Sequence, residues 1–228
     1  VLDTIREYSP DIIGFQEASD NMRAWLIDSL SDYTVVGCGR LSDWRGESTV
    51  LAFKKHEFEL ISLENRWLSA TPDIPGSTFG GDQSRCPRIL TAACLKHADA
   101  EKPFIFLNTH LDHKGSTARL LGAVELLQYL SERVYHFVIT GDMNAKPDAR
   151  EIAAFCEFAP CGSPVIDATA GLGATFHAFG KLADPIKIDY IFTDMKCDPS
   201  ESFVVPNEPV DGVYITDHNP VCAYITAE

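Results

Sequence analysis

Short runs of β-branched and aromatic residues, each closing on a carboxylate, an amide or an imidazole, recur along this chain and limit its fold more than any other feature. The run Phe137, Val138, Ile139, Thr140 is followed by Gly141 and then by Asp142 and Asn144. Runs of this length are too short for a core helix and read as buried strands. Gly141 is expected to turn the backbone sharply at the strand end and so deliver Asp142 and Asn144 to a rim. Taken alone, Gly-Asp-x-Asn is an ordinary Asx turn. Company changes that reading: residues 11–15 end in Gln16 and Glu17, 104–107 in Asn108 and His110, 188–192 carry Asp189, and Asp217 and His218 lead into 221–226. Polar groups delivered to strand ends from five places in the chain predict a shared rim.

The stretches between follow from spacing. Residues 1–8 place Leu2 and Ile5 on one side of a helix that Ser9-Pro10 ends. Asp20 is placed to cap a second helix carrying Met22, Trp25, Leu26 and Leu30 inward. Residues 33–37, 48–53 and 58–62 read as strands in antiparallel hairpins, and 88–96 as another. The aperiodic stretch 69–87, rich in Pro, Gly, Ser and Asp, is expected to border a pocket. Gly115-Ser116 opens a helix with Leu120, Ala123 or Val124, Leu127 and Leu130 at helical spacing, and Asp148 is placed to cap another reaching Phe158. Strands outnumber helices, so the expected fold is two packed sheets with helices outside, in one domain of 228 residues.

Charge narrows the partners. Acidic residues number 33 against 19 basic, a formal charge of −14. Such a surface repels polyanions, which makes duplex DNA a poor partner and a small phosphorylated molecule an easier one. The seven cysteines are odd in number, scattered and without a C-x-x-C pair. That excludes a disulfide framework and a zinc ribbon and predicts reduced, buried thiols in a cytoplasmic compartment. No apolar run is long enough to span a membrane.

Hydrolysis of a phosphate ester requires a cation on the oxygens, a base for the water, and donors for the charge that builds on phosphorus. The strand ends contain each part. Glu17 with a second carboxylate would hold Mg2+ or Mn2+. His218 would be the base, tuned by a carboxylate partner, Asp142 and Asn144 would hold water or an oxyanion, and His110, protonated when substrate binds, would donate to a non-bridging oxygen. Asn108, Asp112, Arg88, Arg119 and His177 are further candidates for substrate contact, the arginines through phosphate pairing. Each has a plainer reading: Asp112 as a helix cap, the arginines as ion-pair partners, His177 as a surface residue.

The ordered series Gln16-Glu17, Asn108-Thr109-His110, Gly141-Asp142-Met143-Asn144, Ile188-Asp189-Tyr190-Ile191-Phe192 and Thr216-Asp217-His218-Asn219-Pro220 resembles the endonuclease/exonuclease/phosphatase family. That family includes deoxyribonuclease I, abasic-site endonucleases and the deadenylase group. Residues 66–72 and 108–113, followed by Ala118-Arg119, are similar to a bacterial branch near the deadenylases. The resemblance implies a four-layer α/β/β/α sandwich of two packed mixed sheets and phosphoester hydrolysis with Mg2+ or Mn2+. It makes Glu17 a metal ligand, Asp217 a metal-side carboxylate, Asp142 the residue that orients or deprotonates water, Asn144 its helper, and Asp189 the partner of His218. The family opens with a strand ending in a metal-site Asn that is not found here, so the single domain 1–228 is expected to be N-terminally incomplete.

Two rivals stand beside this. Asn108-Thr109-His110-Leu111-Asp112-His113 is one residue from the H-x-H-x-D-H signature of metallo-β-lactamase-type zinc hydrolases, but Asn replaces the first His and removes a ligand. The other is a catalytically silent binding module of the same fold. The expected substrate is a small phosphodiester or phosphomonoester, with a short single-stranded nucleic acid second.

Overall fold

The computed structural model describes residues 1–159 and 164–227. Helix α1 (Leu2–Tyr8) leads into β1 (Ile12–Ala18), α2 (Asp20–Ser29), β2 (Tyr33–Val36) and β3 (Ser48–Lys54). These three strands form an antiparallel sheet in the order β1-β3-β2. A second sheet contains β4 (Phe58–Trp67), β5 (Ile89–His97), β6 (Phe104–His110), β7 (Phe137–Asp142), β8 (Ile166–Asp167) and β9 (Asp189–Thr193), ordered β4-β5-β6-β7-β9-β8. Only β6 and β7 run parallel, and the crossover that parallel pairing demands is α3 (Ser116–Ser131). Helix α4 (Arg150–Glu157) follows β7. Two small antiparallel pairs, β10 (Lys196–Cys197) with β13 (Ile225–Thr226) and β11 (Phe203–Val204) with β12 (Val221–Cys222), complete the chain.

Alternation along the strands builds the layers, since successive side chains point to opposite faces. On β3, Val50 and Ala52 pack with Leu26, Leu30 and Tyr33 under α1 and α2, whereas Leu51 and Phe53 meet Leu95, Phe106 and Val138 of the other sheet. On β6 and β7, Leu107, Phe137 and Ile139 turn the other way, onto Leu126 and Leu130 of α3 and Ile152 and Phe155 of α4. Three cores thus separate four layers, and the α/β/β/α sandwich expected from the sequence is the fold. The six-stranded sheet is the mixed one; the three-stranded sheet is antiparallel throughout.

The two sheets are pinned together where the site lies. Asn108 is fully buried and spends all its hydrogen-bonding capacity there: Nδ2 donates to the carbonyls of Phe15 (2.7 Å) and Val50 (3.0 Å), while Oδ1 accepts from Gln16 Nε2 (2.6 Å) and Thr140 Oγ1 (3.1 Å). Gly14 permits the approach, because a Cβ there would stand 2.3 Å from Thr140 Oγ1 and 2.7 Å from Asn108 Oδ1.

Several local expectations are corrected. Gly141 does not turn the chain: it pairs in register with Thr109 and Tyr190, and its missing side chain matters because a Cβ would meet the Thr109 carbonyl at 2.4 Å. The turn comes at Asn144, at φ 48°. Trp25 faces solvent, and α2 is capped by Ser19, whose Oγ accepts from Met22 N. The buried stripe of α3 runs through Ala118, Gly122, Ala123, Leu126, Tyr129 and Leu130, with Gly122 set against Leu111 and Leu68, which leaves Val124 exposed. Helix α4 carries no side-chain cap from Asp148. Six cysteines are free thiols and Cys161 lies outside the described residues; burial pushes the Cys38 thiol up to about 11, so it stays protonated. Among the described residues no helix is long and apolar enough to cross a membrane.

Candidate active site

Strand register alone brings three of the expected residues into a row. His110 pairs with Asp142 across β6 and β7, and Asp142 pairs with Asp189 across β7 and β9. Two carboxylates directly opposite on neighbouring strands repel one another. Burial and then the charge of Asp189 raise the Asp142 pKa to about 7, well above the usual carboxylate range. Thr175 Oγ1 accepts from the backbone N–H of both Ile188 and Asp189 (3.1 Å each) and fixes the start of β9.

His218 arrives from the far end of the chain. Its Nδ1 lies 2.8 Å from Asp189 Oδ2, its Nε2 3.9 Å from Asp142 Oδ2, and its ring packs 4.8 Å from that of Phe176. Burial by itself lowers its pKa, but the hydrogen bond and charge of Asp189, with Asp142 and Asp217 behind it, raise it to about 9. The raised value favours the charged imidazole, which suits His218 to donate a proton as well as to accept one. Asp142, Asp189 and His218 together present ligand atoms all within 4.8 Å of one another.

On the other side of Asp142, the Asn144 amide closes the row. Its backbone N–H donates to Asp142 Oδ1 (2.8 Å), and its Nδ2 lies 3.1 Å from the Leu111 carbonyl and 2.9 Å from His110 Nε2. The carbonyl identifies that atom as the amide nitrogen, so His110 Nε2 accepts and the ring is neutral. Electrostatics agree: burial, then Arg88 and Arg40, hold the His110 pKa well below its usual value. Its 3.4 Å contact with Asp142 is therefore no ion pair; the protonation expected of His110 belongs to the substrate-bound state.

Glu17 occupies a bulge in β1, between Phe15 and Ala18, at φ 58°. A side chain held in that left-handed conformation outside glycine marks a constrained position. It lines a shallow pocket with Arg40, Arg88 and His110. Glu17 and Asp217, the two expected metal ligands, stand outside the three-residue group formed by Asp142, Asp189 and His218.

The profile of the endonuclease/exonuclease/phosphatase family matches residues 1–218. The chain belongs to that family. An endonuclease/exonuclease/phosphatase of known structure from Bacteroides vulgatus is 30% identical, with a TM-score of 0.88 over 99% of this chain and 88% of that one. A mannosyl-6-phosphatase from Bacteroides thetaiotaomicron, 23% identical, has the same fold, with a TM-score of 0.81 over 98% of this chain and 88% of that one. An uncharacterized protein of Acanthamoeba polyphaga mimivirus is 25% identical over 153 residues, 63% of this chain and 56% of the viral protein. The chain thus spans little more than half the length of that curated relative.

Membership of the endonuclease/exonuclease/phosphatase family removes the metallo-β-lactamase alternative, and the geometry agrees: Asp112 and His113 are bonded elsewhere and do not join the group of Asp142, Asp189 and His218. Asp112 accepts from the N–H groups of Ser84 (3.1 Å), Lys114 (2.9 Å) and Gly115 (2.7 Å) and from the Ser84 hydroxyl, stapling the 69–87 loop to the start of α3. Among the other substrate candidates, Asn108 is the pin between the sheets. Arg119 is bonded to the buried Glu151 (3.0 Å) and to the Asp112 carbonyl (3.1 Å). His177 is buried, accepting from Gly180 N (3.0 Å) and lying 3.2 Å from Asn207 Nδ2, an amide that also donates to the carbonyls of Thr216 and His218. It holds the loop that carries His218. Of that set, only Arg88 borders the pocket. The sequence reading passed over Arg40, Glu47 and Asp82, which come from turn-rich stretches where no periodicity says which side chain points inward.

Proposed function

We propose that this domain hydrolyses phosphoesters of small molecules or short single-stranded nucleic acids with the help of Mg2+ or Mn2+. The observation that carries this reading is the row at the sheet edge: Asp142 flanked by Asp189 and His218 on one side and by Asn144 and His110 on the other. The Glu17 carboxylate, free of described hydrogen-bond partners and beside that row, suits a hard cation that takes few protein oxygens. Such an ion, when bound, neutralises phosphate oxygens and favours attack by water.

The remaining chemistry belongs to the chain. Asp142, with its pKa near 7, is matched to accept a proton from the attacking water at neutral pH. The water oxygen then bonds to phosphorus, the ester P–O bond breaks, and its electron pair leaves with the alcohol oxygen. His218 offers its Nε2 proton to the non-bridging oxygens where charge accumulates, while Asp189 keeps the ring charged and oriented. His218 thereby takes the donor role that the sequence reading gave His110, and Asp142 the water-activating role that the family resemblance implies. His110 and Asn144 position Asp142.

The test is to strip divalent ions with EDTA and add back Mg2+, Mn2+ or Zn2+ while following p-nitrophenyl phosphate and bis(p-nitrophenyl) phosphate. Turnover that returns with Mg2+ or Mn2+ is the expected result. Silence with every ion would leave a binding module.

A further inference from the structure

The pocket beside the row sets two guanidinia, Arg40 and Arg88, against the carboxylates of Glu17 and Glu47, and Glu17 is the one proposed to hold a cation. Arg88 is 4% exposed, and its Nε has no hydrogen-bond partner among the described residues. One guanidinium nitrogen reaches His113 Nδ1 at 2.8 Å, and the one acid that it pairs with among the described residues, Asp112, stays 3.8 Å from Nε. That acid is already committed to the donors at Ser84, Lys114 and Gly115. A buried guanidinium left so loosely neutralised is costly. Arg40 lines the same pocket, near enough that its charge acts on both Arg88 and His110. It is paired at 2.6 Å with Glu47, which is itself partly exposed. Two guanidinia side by side beneath a surface of net charge −14 call for a bound anion.

We infer that Arg40 and Arg88 form a subsite for a terminal, dianionic phosphate, which makes phosphomonoesters the substrate class of this centre. The inference rests on the phosphoester reading above and narrows it. A phosphomonoester carries close to two negative charges at neutral pH and three acceptor oxygens, which suits two forked donors. A diester carries one charge and only two unesterified oxygens, a poorer match to two forked donors.

The experiment compares kcat/KM for p-nitrophenyl phosphate and bis(p-nitrophenyl) phosphate, with Mg2+, in the wild type, Arg40→Gln, Arg88→Gln and Glu47→Gln. The wild type should favour the monoester by at least about tenfold. Each arginine variant should lose about tenfold or more on the monoester, the effect of one charge-assisted hydrogen bond, and far less on the diester. Glu47→Gln frees Arg40 and should lower KM for the monoester. Were Arg40 only a structural partner, Glu47→Gln would behave like Arg40→Gln, and that outcome overturns the inference, as does an equal loss on both substrates. If Arg88→Gln does not fold, the more accessible Arg40 carries the comparison. A wild type that hydrolyses neither ester defeats the phosphoester reading, and calorimetric titration with inorganic phosphate then decides the subsite. Binding that is lost in Arg40→Gln and tightened in Glu47→Gln supports it; no phosphate binding by the wild type refutes it.

Discussion

At the scale of single residues, the chemistry of the row is set by how much charge burial allows. Asp142→Asn and His218→Ala should each lower kcat by about two to four orders of magnitude, the usual worth of a positioned proton acceptor or donor, with circular dichroism unchanged. Both groups hold protons more tightly in the fold than an ordinary carboxylate or imidazole does, Asp142 to about 7 and His218 to about 9. Their contribution to stability is therefore greatest at low pH and is lost as pH rises, first through about 7 and then through about 9. Thermal melts from pH 5 to 10 should show the melting temperature falling across that range, with the acid part of the slope flattened in Asp142→Asn. A melting temperature that climbs from pH 6 to 9 contradicts these assignments. Asn108 looked like a substrate contact because it ends a strand beside His110; nothing in the sequence reveals that the opposing sheet takes three of its four hydrogen bonds and Thr140 of its own sheet the fourth. Asn108→Ala strands two buried carbonyls at about 1–3 kcal/mol each. Chemical denaturation should show that loss, and a variant as stable as the wild type would show that the pin is dispensable.

At the scale of elements, the strands were legible because a two-residue period survives any packing arrangement, and the register of β6, β7 and β9 turns three dispersed motifs into one row. Loops were not legible. Asp82, in the middle of the 69–87 connection, accepts from Thr117 N (2.9 Å) and Ala118 N (3.1 Å) and so caps α3 from a distance of 35 residues in sequence. Those bonds hold its carboxyl below the usual range. Two residues further on, Asp112 holds Ser84, so this end of the long loop is tied down just ahead of Arg88. Asp82→Ala should make the 69–87 segment the first site of limited proteolysis, with cleavage several times faster than in the wild type; an unchanged digestion pattern would mean that the Asp112 staple suffices alone.

At the scale of the whole molecule, the four layers were readable from alternation and from the order of motifs, while the division of roles within the site was not, because it depends on which groups end up dry. Strand β1 is an edge strand of its sheet, and its Ile12, Ile13 and Phe15 are only half buried. The net charge of −14 bears on substrate choice: long polyanions are repelled, so relaxed plasmid DNA should remain unnicked under conditions that turn over p-nitrophenyl phosphate. Efficient nicking would count against the charge argument. The account as a whole rests on the row at the sheet edge performing ion-assisted hydrolysis. It is tested most directly by phosphate release from EDTA-treated protein, with and without added Mg2+ or Mn2+, in the wild type and in Asp142→Asn. The prediction is release only with the ion and only with the aspartate; an Asp142→Asn protein with undiminished, ion-dependent turnover would contradict it.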